Sequence, residues 1–308
     1  MQYFIFVIAQ VKKYFILLVY TFLSLFIIIS CKDNTDNPVD IKYTNEGKTS
    51  IVIIVETLQV LGYETLSGFE LYRNEIIPIF SELFKVPESE LEGLSLNDIV
   101  DKYGEEWQIR EIAEAAKKKY DKIITMTDSM ASCNNFLDSI KYLSNNGYYI
   151  DVIFSLHGSS NSVRFYDKSV NISELTQKIK SNNVKIRVIY QTCCTGKEMI
   201  DDWEKIDVLA VNGAVGLNGI NLFSPQYFLE EWTNGKTYEE SVYIAFNKDI
   251  EKVKSYNSTV PVIEYLLTDE TITNSRQFVG GLDKKILWNN FPIYQALNFG
   301  NEWKNLHF

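Results

Sequence analysis

Residues 149–158 read YIDVIFSLHG and residues 186–196 read IRVIYQTCCTG. Each is a β-branched, apolar run that stops abruptly in chemically useful residues. The first ends in His157-Gly158, the second in Thr192-Cys193-Cys194-Thr195-Gly196. Apolar runs with little alternation fit strands covered on both faces, which is the environment of a parallel sheet.

Working outward, Ser50–Glu56 (SIVIIVE) is another such run and reads as the first buried strand. Gly68–Lys85 has apolar residues at helical spacing and reads as helix despite Pro78; residues 86–104 read as a loop with a short turn. Gln108–Tyr120 reads as a helix whose lysine-rich end suits a helix C-terminus. A tighter rhythm follows: strand at Lys122–Met126, helix at Cys133–Ser144, strand at Tyr149–Leu156, helix at Ser173–Ser181. Then come a strand at Lys185–Tyr190, a helical turn at Met199–Glu204, a strand at Val208–Asn212 and a long helix at Thr237–Tyr256. Alternation of this kind predicts an α/β fold: a mostly parallel sheet covered by helices on both faces, in three α/β/α layers. Residues 261–308 read as an extension packed on the domain, with no assigned strand order.

In such sheets, sites form beyond the carboxyl ends of the strands. Only two histidines occur, His157 and the near-terminal His307. His157 is therefore the candidate for imidazole chemistry near neutral pH, and Gly158 lets a ligand approach the backbone. Read alone, His157 better fits a residue that merely caps a strand. Cys193 and Cys194 fit a reactive thiol with its neighbour, a pair of small buried core residues, or a strained vicinal disulfide. One histidine and two adjacent cysteines lack metal-ligand spacing, so no metal and no cofactor are expected.

The order "strand, His-Gly" then "strand, Cys-x-Thr-Gly" resembles the caspase-like cysteine peptidases, the group of caspases, legumain, separase, gingipains and clostripain. YIDVIFSLHG is similar to the family strand that ends in His-Gly, and QTCCTG to its cysteine strand. The resemblance covers roughly residues 120–250 and the Ser50–Glu56 strand. It implies a cysteine endopeptidase acting on peptide or protein substrates. Cys193 would be the nucleophile and His157 its proton-transfer partner. The N–H groups of Gly158 and Cys193 would form the oxyanion hole. Gln191, Gly213 and Ser224 are the implied pocket residues. Clostripain and gingipain patterns usually carry Asp where this chain has Gln191, which weakens any inference of cleavage after Arg or Lys. The family also contains inactive members, so a lipoprotein that binds peptides or a partner at this site is the alternative.

The N-terminus carries Lys12-Lys13, then the apolar run YFILLVYTFLSLFIIIS over residues 14–30. That is a charged region followed by a hydrophobic one, as in secretory signals. Ile28-Ile29-Ser30-Cys31 resembles a bacterial lipobox, with lipidation expected on Cys31. An uncleaved membrane anchor and a generic secretory signal are the other readings. Residues 1–30 thus read as signal peptide, 31–48 as lipidated cysteine and tether, and 49–260 as the α/β domain, with a helical insertion at about 68–120. The expected location is the cell envelope, periplasmic or at the surface, held through the N-terminal lipid. A formal net charge of −10 argues against nucleic acid as a partner, because phosphate contacts need clustered cations.

Overall fold

The computed structural model describes residues 41–56, 67–256 and 260–293. The expected signal sequence, Cys31, most of the expected tether and His307 lie outside them. Among the described residues no helix is long and apolar enough to cross a membrane.

Eight strands build the main sheet: β1 (Lys48–Glu56), β2 (Lys122–Met126), β3 (Tyr148–Ser159), β4 (Ser162–Arg164), β5 (Ser169–Asn171), β6 (Ile186–Gln191), β7 (Ala210–Ala214) and β8 (Gln277–Gly280). The long row runs β2-β1-β3-β6-β7-β8, with β4 and β5 extending from β3. Pairs along the row are parallel except for β8, which runs antiparallel to β7. β1 sits between two parallel neighbours and buries Ile51 to Val55 completely. That is why its sequence is apolar at every position and not at alternate ones.

The longer helices are α1 (Arg73–Phe84), α2 (Glu105–Lys117), α3 (Cys133–Asn145), α4 (Ile172–Ser181), α5 (Ser224–Thr233) and α6 (Tyr238–Lys254). One face of the sheet packs against α3 and α4 through Phe136, Ile140, Leu175 and Ile179, with Val152 and Phe154 beneath. On the other face α5 stacks Phe228 on Tyr190 of β6 at 4.3 Å, and α2 packs on β1. The architecture is the mostly parallel, doubly covered α/β sheet that the strand runs predict.

Residues 86–104 are more ordered than their composition suggests. Short helices at Glu88–Leu91 and Leu96–Ile99 are followed by a π-helical turn at Val100–Gly104. Ser95 and Asp98 close a capping box, so the Ser-x-x-Asp spacing was the readable signal. The inserted helices have their own core, in which Phe84, Trp107 and Phe223 touch in a row. Phe223 belongs to the segment that follows β7, so the insertion braces that segment.

Asp151 reads as a polar residue at a strand edge, but it is interior. β3 has β1 on one side and β6 on the other, and the register against β6 slips between Ile150 and Asp151. The slip makes Arg187 an extra residue of β6 and turns it onto Asp151. Its Nε and Nη2 reach the two carboxylate oxygens at 2.8 and 2.5 Å. Tyr120 donates to the same carboxylate at 2.8 Å, and the Trp288 ring lies 4.8 Å from the guanidinium. Trp288 and Phe291 come from the C-terminal segment, which also places β8 at the sheet edge and pairs residues 43–44 with 291–292.

Candidate active site

β3 and β6 are adjacent and parallel, with Phe154 opposite Gln191. The ladder continues one step further, Thr192 N–H donating to Phe154 O at 2.8 Å. His157-Gly158, three and four residues past Phe154, and Cys193-Cys194, two and three past Gln191, therefore lie side by side beyond the last regular pair.

Gly158 is required here by space. A methyl group on its α-carbon would lie 2.7 Å from Cys193 Cβ and 2.9 Å from Met199 Cε. Gly213 is required for the same reason, since its α-carbon packs on the backbone of Gly196 and Lys197. The cysteine turn itself is strained. Thr195 has φ of 50°, the left-handed region that β-branched residues avoid, at about 1–2 kcal/mol. Its N–H donates to Gly216 O at 2.8 Å, which holds the turn against the segment after β7.

The two thiols differ. Cys193 is 0% exposed and belongs to the core cluster on the α3 and α4 side, with Val163, Met199 and Cys133. Burial, and secondarily the neighbouring Cys194, push its thiol well above the ordinary range, so in this conformation it is protonated. Cys194 is half-buried, and its Sγ accepts the Asn218 N–H at 3.3 Å. His157 is half-buried and lies opposite Arg164 in the β3–β4 hairpin. Strand alternation puts its side chain on the face of Ser155, whose Oγ donates to Gln108 of α2 at 2.8 Å. Cys193, on the α3 side, does not share that face.

Gln191, Gly213 and Ser224 read as pocket-lining residues, but all three are buried behind the site. The Gln191 amide donates to Asn212 O at 2.8 Å and to Gly196 O, and accepts from Trp203. Asn212 in turn spans both backbone groups of Gln191 at 2.9 Å. These amides clamp the ends of β6 and β7 and leave no polar atom of Gln191 for a ligand. Ser224 opens α5, where its N–H and that of Phe223 donate to Asp249 of α6 at 2.7 and 3.0 Å.

Two residues of this region escaped the sequence reading. Asn218 holds the cysteine turn twice, by its N–H on Cys194 and by its side chain on Thr192 O at 2.9 Å. Its surroundings, the stretch around Gly213–Ser224, read only as pocket-lining by resemblance, with no role for Asn218 itself. Asp249 did have a signal: it interrupts the apolar stripe Val242, Ala245, Phe246, Ile250, Val253 of α6. It is fully buried, and desolvation raises its carboxyl to about 7 against the pull of the two N–H donors.

Elsewhere, oxygens of Glu56, Asp101 and Glu105 lie within 4.8 Å of one another at the carboxyl end of β1. Asp101 and Glu105 also line a cleft of about 580 Å³, to which Asp98 and Asp128 contribute. Hard oxygen donors of this kind are the set a divalent cation such as Ca²⁺ or Mg²⁺ would use. No metal is expected from the sequence, in which only Asp101 and Glu105 are close along the chain and Glu56 is remote from both.

No family model matches the chain, and no curated protein matches it. Among solved structures the chain is similar to the complex of Porphyromonas gingivalis RgpB pro- and mature domains, at 12% identity and a TM-score of 0.43. That match covers 77% of this chain and 48% of the other, so it spans about half the length of that protein. The chain is also similar to iotapain, a secreted C11 cysteine protease from Bacteroides thetaiotaomicron, at 8% identity and a TM-score of 0.33. That match covers 70% of this chain and 73% of the other.

Proposed function

We propose that the chain is a caspase-like cysteine endopeptidase whose dyad is Cys193 and His157. The observation that carries the reading is the junction of two parallel strand ends, His157-Gly158 against Thr192-Cys193. There the Gly158 α-carbon rests on the Cys193 side chain, with no room for a methyl group. This contact brings the Gly158 and Cys193 backbones together, as a two-amide oxyanion hole requires.

In the reaction the Cys193 thiolate adds to the scissile carbonyl. The C–N bond then breaks, the leaving amine takes a proton from His157, and a thioester remains. Water, deprotonated by His157, adds to that thioester, and the acid product and the thiol are released. Cys193 is buried and its side chain lies on the face away from His157, so the proposed dyad forms only when the cysteine turn rearranges. Gly216 and Asn218 of the segment after β7 hold that turn through Thr195, Cys194 and Thr192, so its rearrangement involves this segment. Val215 and Leu217 of that segment are exposed, Leu217 at 67%.

The same burial favours a second reading, an inactive peptidase fold that binds peptides or a partner protein. A broad panel of quenched fluorogenic peptides separates the two. Hydrolysis abolished by Cys193→Ala supports the enzyme, and no hydrolysis by the wild type supports the binder. We further propose that Cys31 is lipidated and holds the protein at the cell envelope. Metabolic incorporation of a labelled fatty acid, lost in Cys31→Ala, is the test.

A further inference from the structure

We propose that Arg164 is a specificity residue that takes an acidic side chain, Asp or Glu, of a peptide lying across His157. The inference rests on the peptide-binding site proposed above and names the chemistry of its ligand.

The β3–β4–β5 ribbon alternates strictly. Gly158, Val163 and Val170 face inward, Val163 and Val170 into the core. The outward face therefore carries His157, Ser159, Ser162, Arg164, Ser169 and Asn171. In this ladder His157 stands opposite Arg164, Arg164 opposite Ser169, and Ser162 opposite Asn171. Residues directly opposite point to the same side and lie roughly 5 Å apart. The face beside the candidate catalytic imidazole is thus wholly polar, with one guanidinium at its centre.

Arg164 has no acceptor there. Its Nε is buried and has no hydrogen-bond partner among the described residues. It also enters none of their ion pairs. The nearest acid in sequence, Asp167, is engaged with Lys168 and with the Cys133 N–H. Of the other four arginines, Arg73, Arg110 and Arg187 each meet a carboxylate, while Arg276 meets none among the described residues. A half-buried guanidinium with an unmet donor is an unfavourable arrangement that an arriving carboxylate relieves, with charge-assisted hydrogen bonds. Ser159 and Ser162, already bonded to each other at 2.8 Å, and Ser169 supply further hydroxyls on this face. The ribbon is also rigid enough to read a side chain: Tyr166 N–H is tied to Ala131 O at 3.0 Å and Ile172 N–H to Asn161 O at 2.8 Å.

The test pairs turnover with binding. Internally quenched peptides carrying Asp or Glu at each position in turn, with Asn or Gln counterparts, are compared on wild type, Arg164→Gln, Arg164→Lys and Arg164→Glu. Binding of fluorescein-labelled versions to the same proteins with Cys193→Ala is followed by fluorescence polarisation. The expected result is a preference for an acid at one position that falls about tenfold or more in Arg164→Gln. Arg164→Lys keeps part of it, and Arg164→Glu turns it toward Lys. The amide counterparts change little. An equal response of acid and amide peptides overturns the proposal and leaves the peptidase reading standing. If the wild type cleaves nothing, binding decides: a charge-selective loss in Arg164→Gln upholds Arg164 while the peptidase reading fails. No selective binding overturns Arg164. Should Arg164→Gln not fold, Arg164→Lys and Arg164→Glu carry the comparison.

Discussion

The α-carbon of Gly158 is packed directly on the side chain of Cys193, and this contact joins the two strand ends that carry the candidate chemistry. Gly158→Ala forces a methyl group to within 2.7 Å of Cys193 Cβ. Overpacking of this kind destabilises by about 1–3 kcal/mol. It also separates the two amides of the proposed oxyanion hole, and losing one such donor commonly lowers kcat about 100-fold or more. Thermal unfolding and steady-state kinetics read the two effects separately. A Gly158→Ala protein with unchanged melting and turnover would remove the contact from the account.

The two thiols are predicted to react with a small alkylating agent in the order of their exposure. Cys194, half-buried, is modified first; Cys193, buried and protonated, is at least about tenfold slower in the native protein. Peptide mapping after brief iodoacetamide treatment at pH 8 checks this. Unfolding in denaturant should make the two rates similar.

The buried pair of Asp151 and Arg187 links the centre of the sheet to the C-terminal segment. Asp151→Asn or Arg187→Met leaves one charge buried without its counterpart and should cost about 3–5 kcal/mol. Chemical denaturation measures the loss. A double variant with apolar residues at both positions should recover much of it, because the desolvated charges go together.

Asp249 makes stability depend on pH. Its carboxyl is raised from an ordinary value of 3.8 to about 7 in the folded chain, chiefly by desolvation. The folded state therefore binds more protons than the unfolded state between these values. Stability from this group is complete below about pH 4 and is lost as pH rises through about 7. Asp249→Asn keeps an acceptor for the Phe223 and Ser224 N–H groups and should flatten that decline. Denaturation midpoints of both proteins between pH 4 and 8 test it. A wild-type decline that Asp249→Asn leaves unchanged assigns the effect elsewhere.

Much of the fold is visible in the sequence because buried parallel strands need continuous apolar runs. Ser50–Glu56, Tyr149–Leu156 and Lys185–Tyr190 could hardly be anything else. What the sequence concealed depends on partners distant along the chain. β8 has only four residues, one of them the exposed Phe278, and becomes a strand by pairing with β7. Asp151 looks like an edge residue until the β6 register slip brings Arg187 to it. The His-Gly and Cys-Cys endings were readable, yet their faces were not. Alternation gives Gly158, not His157, the side that Cys193 occupies, and Arg164 joins His157 only through the hairpin register. Gln191 read as a pocket residue because its neighbour is a candidate nucleophile. Its amide is instead committed to Asn212, Gly196 and Trp203.

The central claim is that Cys193 is the nucleophile and Cys194 its neighbour. The most direct test is covalent labelling by a panel of peptidyl acyloxymethyl ketones, read by intact mass and peptide mapping, on wild type, Cys193→Ala, Cys194→Ala and His157→Ala. The account predicts an adduct on Cys193 in wild type and Cys194→Ala, much slower labelling in His157→Ala, and none in Cys193→Ala. Labelling and peptide hydrolysis that persist in Cys193→Ala would contradict it.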